Sequence, residues 1–329
     1  MNDSSFSGAS RQSAGNVASQ AWAALRGFAE DFWHDGDENP VDVLLGRAPS
    51  PAHMKVKLSV QDILTREHGD HASSLSGQKE WHALPGEISE IMWGAGNMMP
   101  GGIELYDKLI TPLCLNKDMS VLDISAGLGG HMRRATEQFG AYFTGLEPDA
   151  EIAARGMLLS QRARQEKRAP IKTYDPLRFK SDRHYDCVLA REVFYRVADK
   201  PRFFNALASG TKASAQIAFT DYTLEPEHAR KASVLLWKGV EPNAAPLSLA
   251  DMSKAWSQLG FRMHISENLT EYYCAEVLVG VKRLATYLIK HPNPDSATRE
   301  GIKRHVIKWS NRMAAMKDGL MFCRFYGSK

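Results

Sequence analysis

What the chain lacks narrows its class. Its 329 residues include only four cysteines, Cys114, Cys187, Cys274 and Cys323, and no two of them form a C-x-x-C pair. Neither a disulfide framework nor a zinc site is supported, and no metal is expected. The thiols read as reduced and mostly buried, as in a cytoplasmic protein. No apolar run is long enough to span a bilayer, and the N-terminus has no signal-peptide core, so the chain reads as one without a membrane span. Charge of one sign is also scarce: 41 Lys and Arg against 38 Asp and Glu leave +3, too little to imply a nucleic-acid partner. No internal repeat is visible. The length suffices for a full core, which favours one large domain with an appendage over two equal domains.

Against this background residues 117–153, KDMSVLDISAGLGGHMRRATEQFGAYFTGLEPDAEIA, stand out. A short apolar run (Val121, Leu122, Ile124) carries Asp123 and breaks into a turn with Gly127, Gly129 and Gly130. A helical segment closing on Gly140 follows, then a second apolar run ending in Glu147 and Pro148. Strand, glycine turn, helix, strand and acid make a βαβ unit with a right-handed crossover. Glycines at the turn allow a ligand to approach the backbone, and an acid after the second strand is placed to accept ribose hydroxyls. The expected ligand is a nucleoside. The three glycines miss the G-x-G-x-x-G spacing of dinucleotide sites, which leaves a dehydrogenase as the weaker competitor.

The spacing Asp123-x-x-x-Gly127-x-Gly129 resembles motif I of the class I S-adenosylmethionine methyltransferases, with Ser125 where that family usually has its first glycine. The resemblance implies an α/β fold: a Rossmann-like, doubly wound, seven-stranded and mostly parallel sheet over residues 81–329. It implies S-adenosyl-L-methionine as cofactor, held by Asp123, Gly127, Gly129, Glu147 and Pro148. It adds Asp175 and Pro176 after a third strand, with Asp175 on the adenine amine, together with Arg191 after a fourth strand and Met99.

Residues 1–16 read as a mobile tail, rich in Ser, Gly and Asn. Residues 17–80 form an N-terminal helical extension. Its first helix carries an apolar stripe (Val17, Trp22, Leu25, Phe28, Phe32) expected to pack on the main domain or on a second copy of the chain. Contact with a membrane surface is the alternative. Residues 81–102 combine a short helix with two glycine clusters and are placed to act as a lid over a ligand. Trp93-Gly94 through Gly102 looks like the lid of the phosphoethanolamine N-methyltransferases and their small-molecule relatives. Met98 and Met99 stand where that lid has a serine.

Farther along, the basic run Arg162, Arg164, Lys167, Arg168 reads as a solvated helix face. Arg191-Glu192 resembles the family's Arg-Asp pair, which assigns Glu192 to the acceptor amine. Asp221-Tyr222 matches its Ser-Asp-Tyr element, and Trp309, Arg312 and the run 320–325, read as an edge strand, match its end. Glu192 and Tyr222 are the expected catalytic residues. Trp81, Trp93, Arg196, Asp221, Tyr222, Lys238 and Arg312 are the expected acceptor-binding residues. The family's tyrosine and histidine above the amine are replaced by Trp81 and Arg196, neither of which titrates near neutrality, and Lys238 is the one donor found for a phosphate clamp. These departures favour a less polar acceptor or a lipid.

Three functions follow from the sequence: methyl transfer to a small-molecule or lipid-headgroup amine; methyl transfer to sulfur or carbon in an apolar pocket of Trp81, Trp93, Phe194, Tyr222 and Trp237; or a non-catalytic S-adenosylmethionine binder.

Overall fold

A computed structural model describes residues 85–241, 243–291 and 294–329. The tail, the helical extension and Trp81 lie outside the described residues. Among the described residues seven strands form one sheet in the order β3-β2-β1-β4-β5-β7-β6. They are β1 (Ser120–Asp123), β2 (Tyr142–Glu147), β3 (Ile171–Thr173), β4 (Tyr185–Arg191), β5 (Thr211–Leu224), β6 (Arg262–Asn268) and β7 (Leu320–Ser328). The first five are parallel, and β7 runs antiparallel to both neighbours. The strand order reverses between β1 and β4, and in such sheets ligands bind at the carboxyl ends of the strands beside that reversal.

The βαβ unit is as the glycine turn predicts: β1, then α3 (Gly130–Phe139) closed by Gly140, then β2. Asp149 starts α4 (Ala150–Arg162) by accepting from the N–H groups of Glu151 and Ile152, an acidic N-cap at the positive end of a helix. The basic run after it is exposed.

The closing strand departs from expectation. It is not an edge: β7 is inserted between β5 and β6, bonded along both sides. Leu320, Phe322, Cys323 and Phe325 are buried, whereas β6 alternates exposed and half-buried residues. The strand with the apolar side chains takes the interior, and the charged one takes the edge.

Helices α2 (Gly102–Ile110) and α3 cover one face of the sheet, burying Tyr106, Leu109, Val121 and Phe143. Helices α5 (Lys200–Ser209) and α7 (Leu249–Ser257) cover the other, around Phe194, Phe203, Phe219 and Trp256. A third cluster lies beyond the sheet's carboxyl edge. It is built from α1 (Glu87–Trp93), α6 (Ala232–Val240) and the long α8 (Thr270–Lys290) and α9 (Ser296–Lys317). No helix among the described residues is long and apolar enough to cross a membrane.

That cluster explains a glycine in mid-helix. A Cβ at Gly280 of α8 would lie 1.8 Å from the Trp93 ring, which itself meets Trp309 of α9 edge-on at 5.1 Å. Gly280→Ala is expected to destabilise the fold by about 1–3 kcal/mol through overpacking, read as a lower melting midpoint. Helix propensity alone predicts the opposite sign, so a raised midpoint would show that Trp93 does not sit there.

Candidate functional site

The site begins where β1 ends. Asp123 is buried, and its carboxylate accepts from the N–H and hydroxyl of Ser125 at 2.9 and 2.8 Å. Ser125 Oγ in turn accepts from the Arg191 N–H at 2.9 Å. A serine in place of the first glycine thus ties the end of β1 to the end of β4, which glycine has no side chain to do. The Arg191 guanidinium donates to the Ser125 carbonyl at 3.2 Å and lies over the Tyr106 ring.

Gly127 has φ +53°, and a Cβ on it would lie 2.7 Å from Met98 of the loop 94–101. Its N–H donates to Glu147 Oε2 at 3.0 Å, while Glu147 Oε1 accepts from the Asp149 N–H at 3.1 Å. The acid at the end of β2 is therefore turned onto the glycine turn and half-buried beside it. Burial pushes its carboxyl above the ordinary glutamate value, and the N–H groups of Asp149 and Gly127 pull the other way. Each oxygen keeps a second lone pair, so a diol laid beside the turn has its acceptors in place. Gly129 ends the turn and precedes α3.

The loop 94–101 lies on this turn. Gly96 accepts from the Gly130 N–H at 3.0 Å, and its own N–H donates to Glu90 at 2.6 Å. Arg155 of α4 pairs with Glu90 and with the Pro85 carbonyl. Met99 is half-buried within the loop. At the far end of the cleft the Tyr174 hydroxyl crosses to the Ile124 carbonyl at 3.1 Å. Asp175 is exposed; it accepts from the Leu177 N–H at 2.9 Å and pairs with Arg178 at 3.7 Å. Pro148 is exposed and Pro176 half-buried at the ends of the two strands.

The second half is a buried polar knot. Glu192 follows β4 in the left-handed region, φ +55°, which costs a residue with a side chain about 1–3 kcal/mol. Its N–H donates to the Thr220 carbonyl at 2.8 Å. Its carboxylate accepts from Tyr222 at 3.1 Å, from Arg312 at 2.8 Å and from Tyr273. Arg312 also donates to Glu241 at 2.6 Å and to the Tyr195 hydroxyl at 2.8 Å, and Tyr195 donates to Glu241 at 3.0 Å. Every member is at most 7% exposed.

Several expectations change here. Arg312 is not open to an acceptor, because two carboxylates hold it within the knot. Asp221 does not line the cleft either. Its carboxylate accepts from the N–H groups of Phe194, Tyr195 and Tyr222 and fixes the turn Phe194–Arg196; burial pushes it up to about 7 even so. Nor do the aromatics form an open pocket: Trp93, Phe194, Tyr222 and Trp237 are each at most 3% exposed, and Phe194 packs on the other face of the sheet. Lys238 is half-buried at the end of α6, and its ammonium makes no hydrogen bond or ion pair among the described residues.

Arg196 is exposed. It acts electrostatically on Glu147 and Tyr174 on one side and on Tyr195 and Arg312 on the other, so it stands between the two halves of the site. The sequence reading missed Tyr195, Glu241 and Tyr273. One signal pointed to them: Arg312 interrupts the stripe Trp309, Met313, Met316 on α9, and an arginine in an apolar stripe needs buried acceptors.

A model of a methyltransferase domain matches residues 102–265. The Plasmodium falciparum phosphoethanolamine N-methyltransferase is 23% identical over 139 residues, 41% of this chain and 51% of the relative. Phosphoethanolamine N-methyltransferase 2 of Caenorhabditis elegans is 25% identical over 137 residues, 40% of this chain and 31% of that protein. The chain thus spans about half or less of the length of these relatives. Among solved structures, Haemonchus contortus phosphoethanolamine N-methyltransferase 2 in complex with S-adenosyl-L-methionine superposes with TM-score 0.64 and 16% identity, over 74% of this chain and 56% of that one. Mycolic acid cyclopropane synthase CmaA1, complexed with SAH and CTAB, gives 0.62 and 15% over 74% and 94%. At these identities the superpositions establish the fold.

Proposed function

Because the chain belongs to the class I S-adenosylmethionine-dependent methyltransferases, we propose that its acceptor is a small-molecule or lipid-headgroup amine methylated beside Glu192. The cofactor is S-adenosylmethionine, and Glu147 on the Gly127 turn fits its ribose. When bound, it supplies an electrophilic methyl group on a sulfonium sulfur.

The observation that carries the reading is the unused capacity of Glu192. A carboxylate has about four acceptor positions, and Tyr222, Tyr273 and Arg312 fill three. An amine N–H donated to the fourth directs its lone pair along a fixed line, and orientation is the larger part of what a displacement at carbon asks of a protein. Tyr222 and Tyr273 hold the carboxylate still. The knot contains two carboxylates and one guanidinium, so it favours the positive charge that nitrogen gains on methylation. The closed packing of Trp93, Tyr222 and Trp237 speaks against the apolar pocket that a sulfur or carbon acceptor needs.

The test is transfer from S-adenosylmethionine carrying a labelled methyl group to panels of small amines and to lipid extracts. Label is expected on an amine. Glu192→Ala should lower turnover by about a hundredfold or more, the scale of losing a positioned hydrogen-bonding group, while S-adenosylhomocysteine still raises the melting midpoint. Full activity of Glu192→Gln, with label on sulfur or carbon, would favour the alternative acceptors. Cofactor binding with no transfer to any panel would favour a binding module.

A further inference from the structure

Helix α6 carries an apolar stripe on the side where a surface helix normally carries polar residues. Its inner face buries Ser233, Val234 and Trp237. Ala232, Leu235, Leu236, Gly239 and Val240 recur at the i, i+3, i+4, i+7, i+8 spacing that lays residues along one side of a helix, and that side faces solvent among the described residues. Leu235 is 54% exposed and Val240 42%, Ala232 and Gly239 are exposed, and Leu236 is half-buried. A Cβ at Gly239 would meet nothing within 4 Å. Helices α5 and α7, by contrast, expose Arg202, Asn205, Asp251 and Lys254. A contiguous outward apolar face marks a surface that something covers.

We infer that this face of α6 seats on an anionic lipid surface, with Leu235, Leu236 and Val240 entering the interface and the neighbouring cations meeting headgroup phosphates. The charge around the stripe selects that occupant. Residues 228–240 contain Arg230, Lys231 and Lys238 and no acid. Arg230 and Lys231 are exposed where the helix begins, and Lys231 and Lys238, seven residues apart, lie along the same edge of the stripe. Lysines so placed rest their stems on the apolar surface and extend their ammonium groups to the headgroups. The acids nearby are engaged: Glu225 accepts from the Leu249 N–H, Asp318 from Ser233, and Glu241 from Arg312 and Tyr195, which leaves Glu227. A second copy of the chain is the poorer occupant, because a twofold contact through this face sets cations against cations. The opposite side of the same helix walls the knot. The Trp237 ring lies 5.7 Å from Tyr195 and 5.8 Å from Tyr222, and Glu241 follows the helix directly. A lipid surface on α6 thus lies one helix diameter, ~10 Å, from the knot. The docking itself does not depend on which acceptor is methylated.

Sedimentation of the full chain with vesicles of phosphatidylcholine, and with vesicles of equal parts phosphatidylcholine and phosphatidylglycerol, tests this. Partition onto the anionic vesicles is expected to exceed that onto the neutral ones by about tenfold or more, and to fall as salt is added. Leu235→Asp combined with Val240→Asp should lower the partition about tenfold or more, with the melting midpoint unchanged because both side chains are exposed. Lys231→Gln combined with Lys238→Gln should weaken binding to the anionic vesicles and leave the neutral ones unaffected. An environment-sensitive fluorophore on Gly239→Cys, combined with Cys114→Ser to remove the exposed thiol, should shift to the blue on anionic vesicles and be quenched by brominated lipid. The inference is overturned if the chain does not bind anionic vesicles, or if binding survives the two aspartates with no shift of the Gly239→Cys label. It is also overturned if the aspartates split a dimer seen by analytical ultracentrifugation, which assigns the face to a second copy. Failure of methyl transfer to any amine overturns the acceptor reading alone and leaves the vesicle result standing.

Discussion

Arg312→Met is expected to destabilise the protein by about 3–5 kcal/mol, because removing one member of a buried ion pair leaves the other charge without compensation. Here two charges are left, Glu192 and Glu241, together with the Tyr195 and Tyr222 hydroxyls. Methionine matches the stem of arginine but none of its donors, so the loss isolates polar satisfaction from volume. Arg312→Lys should recover only part of it, since an ammonium does not present the planar fork that reaches two carboxylates and two hydroxyls together. Chemical denaturation at neutral pH reads the effect directly. A shift below about 1 kcal/mol, the size of an exposed pair, would mean the knot is not closed as described. The pH dependence supplies an independent check. Burial alone would raise the Glu241 carboxyl, but Arg312 and Lys308 hold it down to about 2, from an ordinary 4.5. A depressed carboxylate contributes stability that is complete above its unfolded value and is lost as pH falls through the folded one. The wild type should therefore lose this contribution as pH falls from about 4.5 to 2, and Arg312→Met should show a flatter acid limb.

Glu147→Ala is expected to weaken S-adenosylhomocysteine binding by roughly a hundredfold or more. Hydrogen bonds to a charged group are worth about 1.5–3 kcal/mol each, and a ribose offers two hydroxyls. The same change also releases the Gly127 N–H from its acceptor, so the turn loses an anchor as well as a ligand contact. Glu147→Gln keeps one carbonyl acceptor and should fall between the two. Because burial raises the Glu147 carboxyl, affinity for the cofactor should decline as pH falls from neutral into the mildly acidic range, where an ordinary glutamate would still be ionised. Calorimetric titration of the full chain across that range measures it. Affinity flat with pH, or unchanged in Glu147→Ala, would move the nucleoside away from β2.

The first half of the sheet was legible because its information is local. A run of apolar residues, a glycine turn and an acid one strand later are contiguous in the chain, and they fold into contiguous structure. The second half, the buried knot, was legible only in part. Glu192, Tyr222 and Arg312 were marked by resemblance, yet what they do is decided by Tyr195, Glu241 and Tyr273, which arrive from three other elements. Periodicity sees Tyr273 as one more apolar residue of α8. The aromatics Trp93 and Trp237 were read as a pocket because rings suit both packing and binding; burial decides for packing. The final strand was misplaced for a related reason: its apolar and aromatic run identifies a strand but does not identify its neighbours.

The position of β7 carries a consequence for the order of assembly. Among the described residues strand β6 pairs only with β7, and α8 and α9 are both synthesised between the two. While the chain emerges, β5 exposes one open side and β6 waits unpaired, an interval in which such strands are open to the wrong neighbours. Closure of the sheet and burial of Arg312 at the end of α9 then come almost together, so the buried knot around Glu192 is completed last.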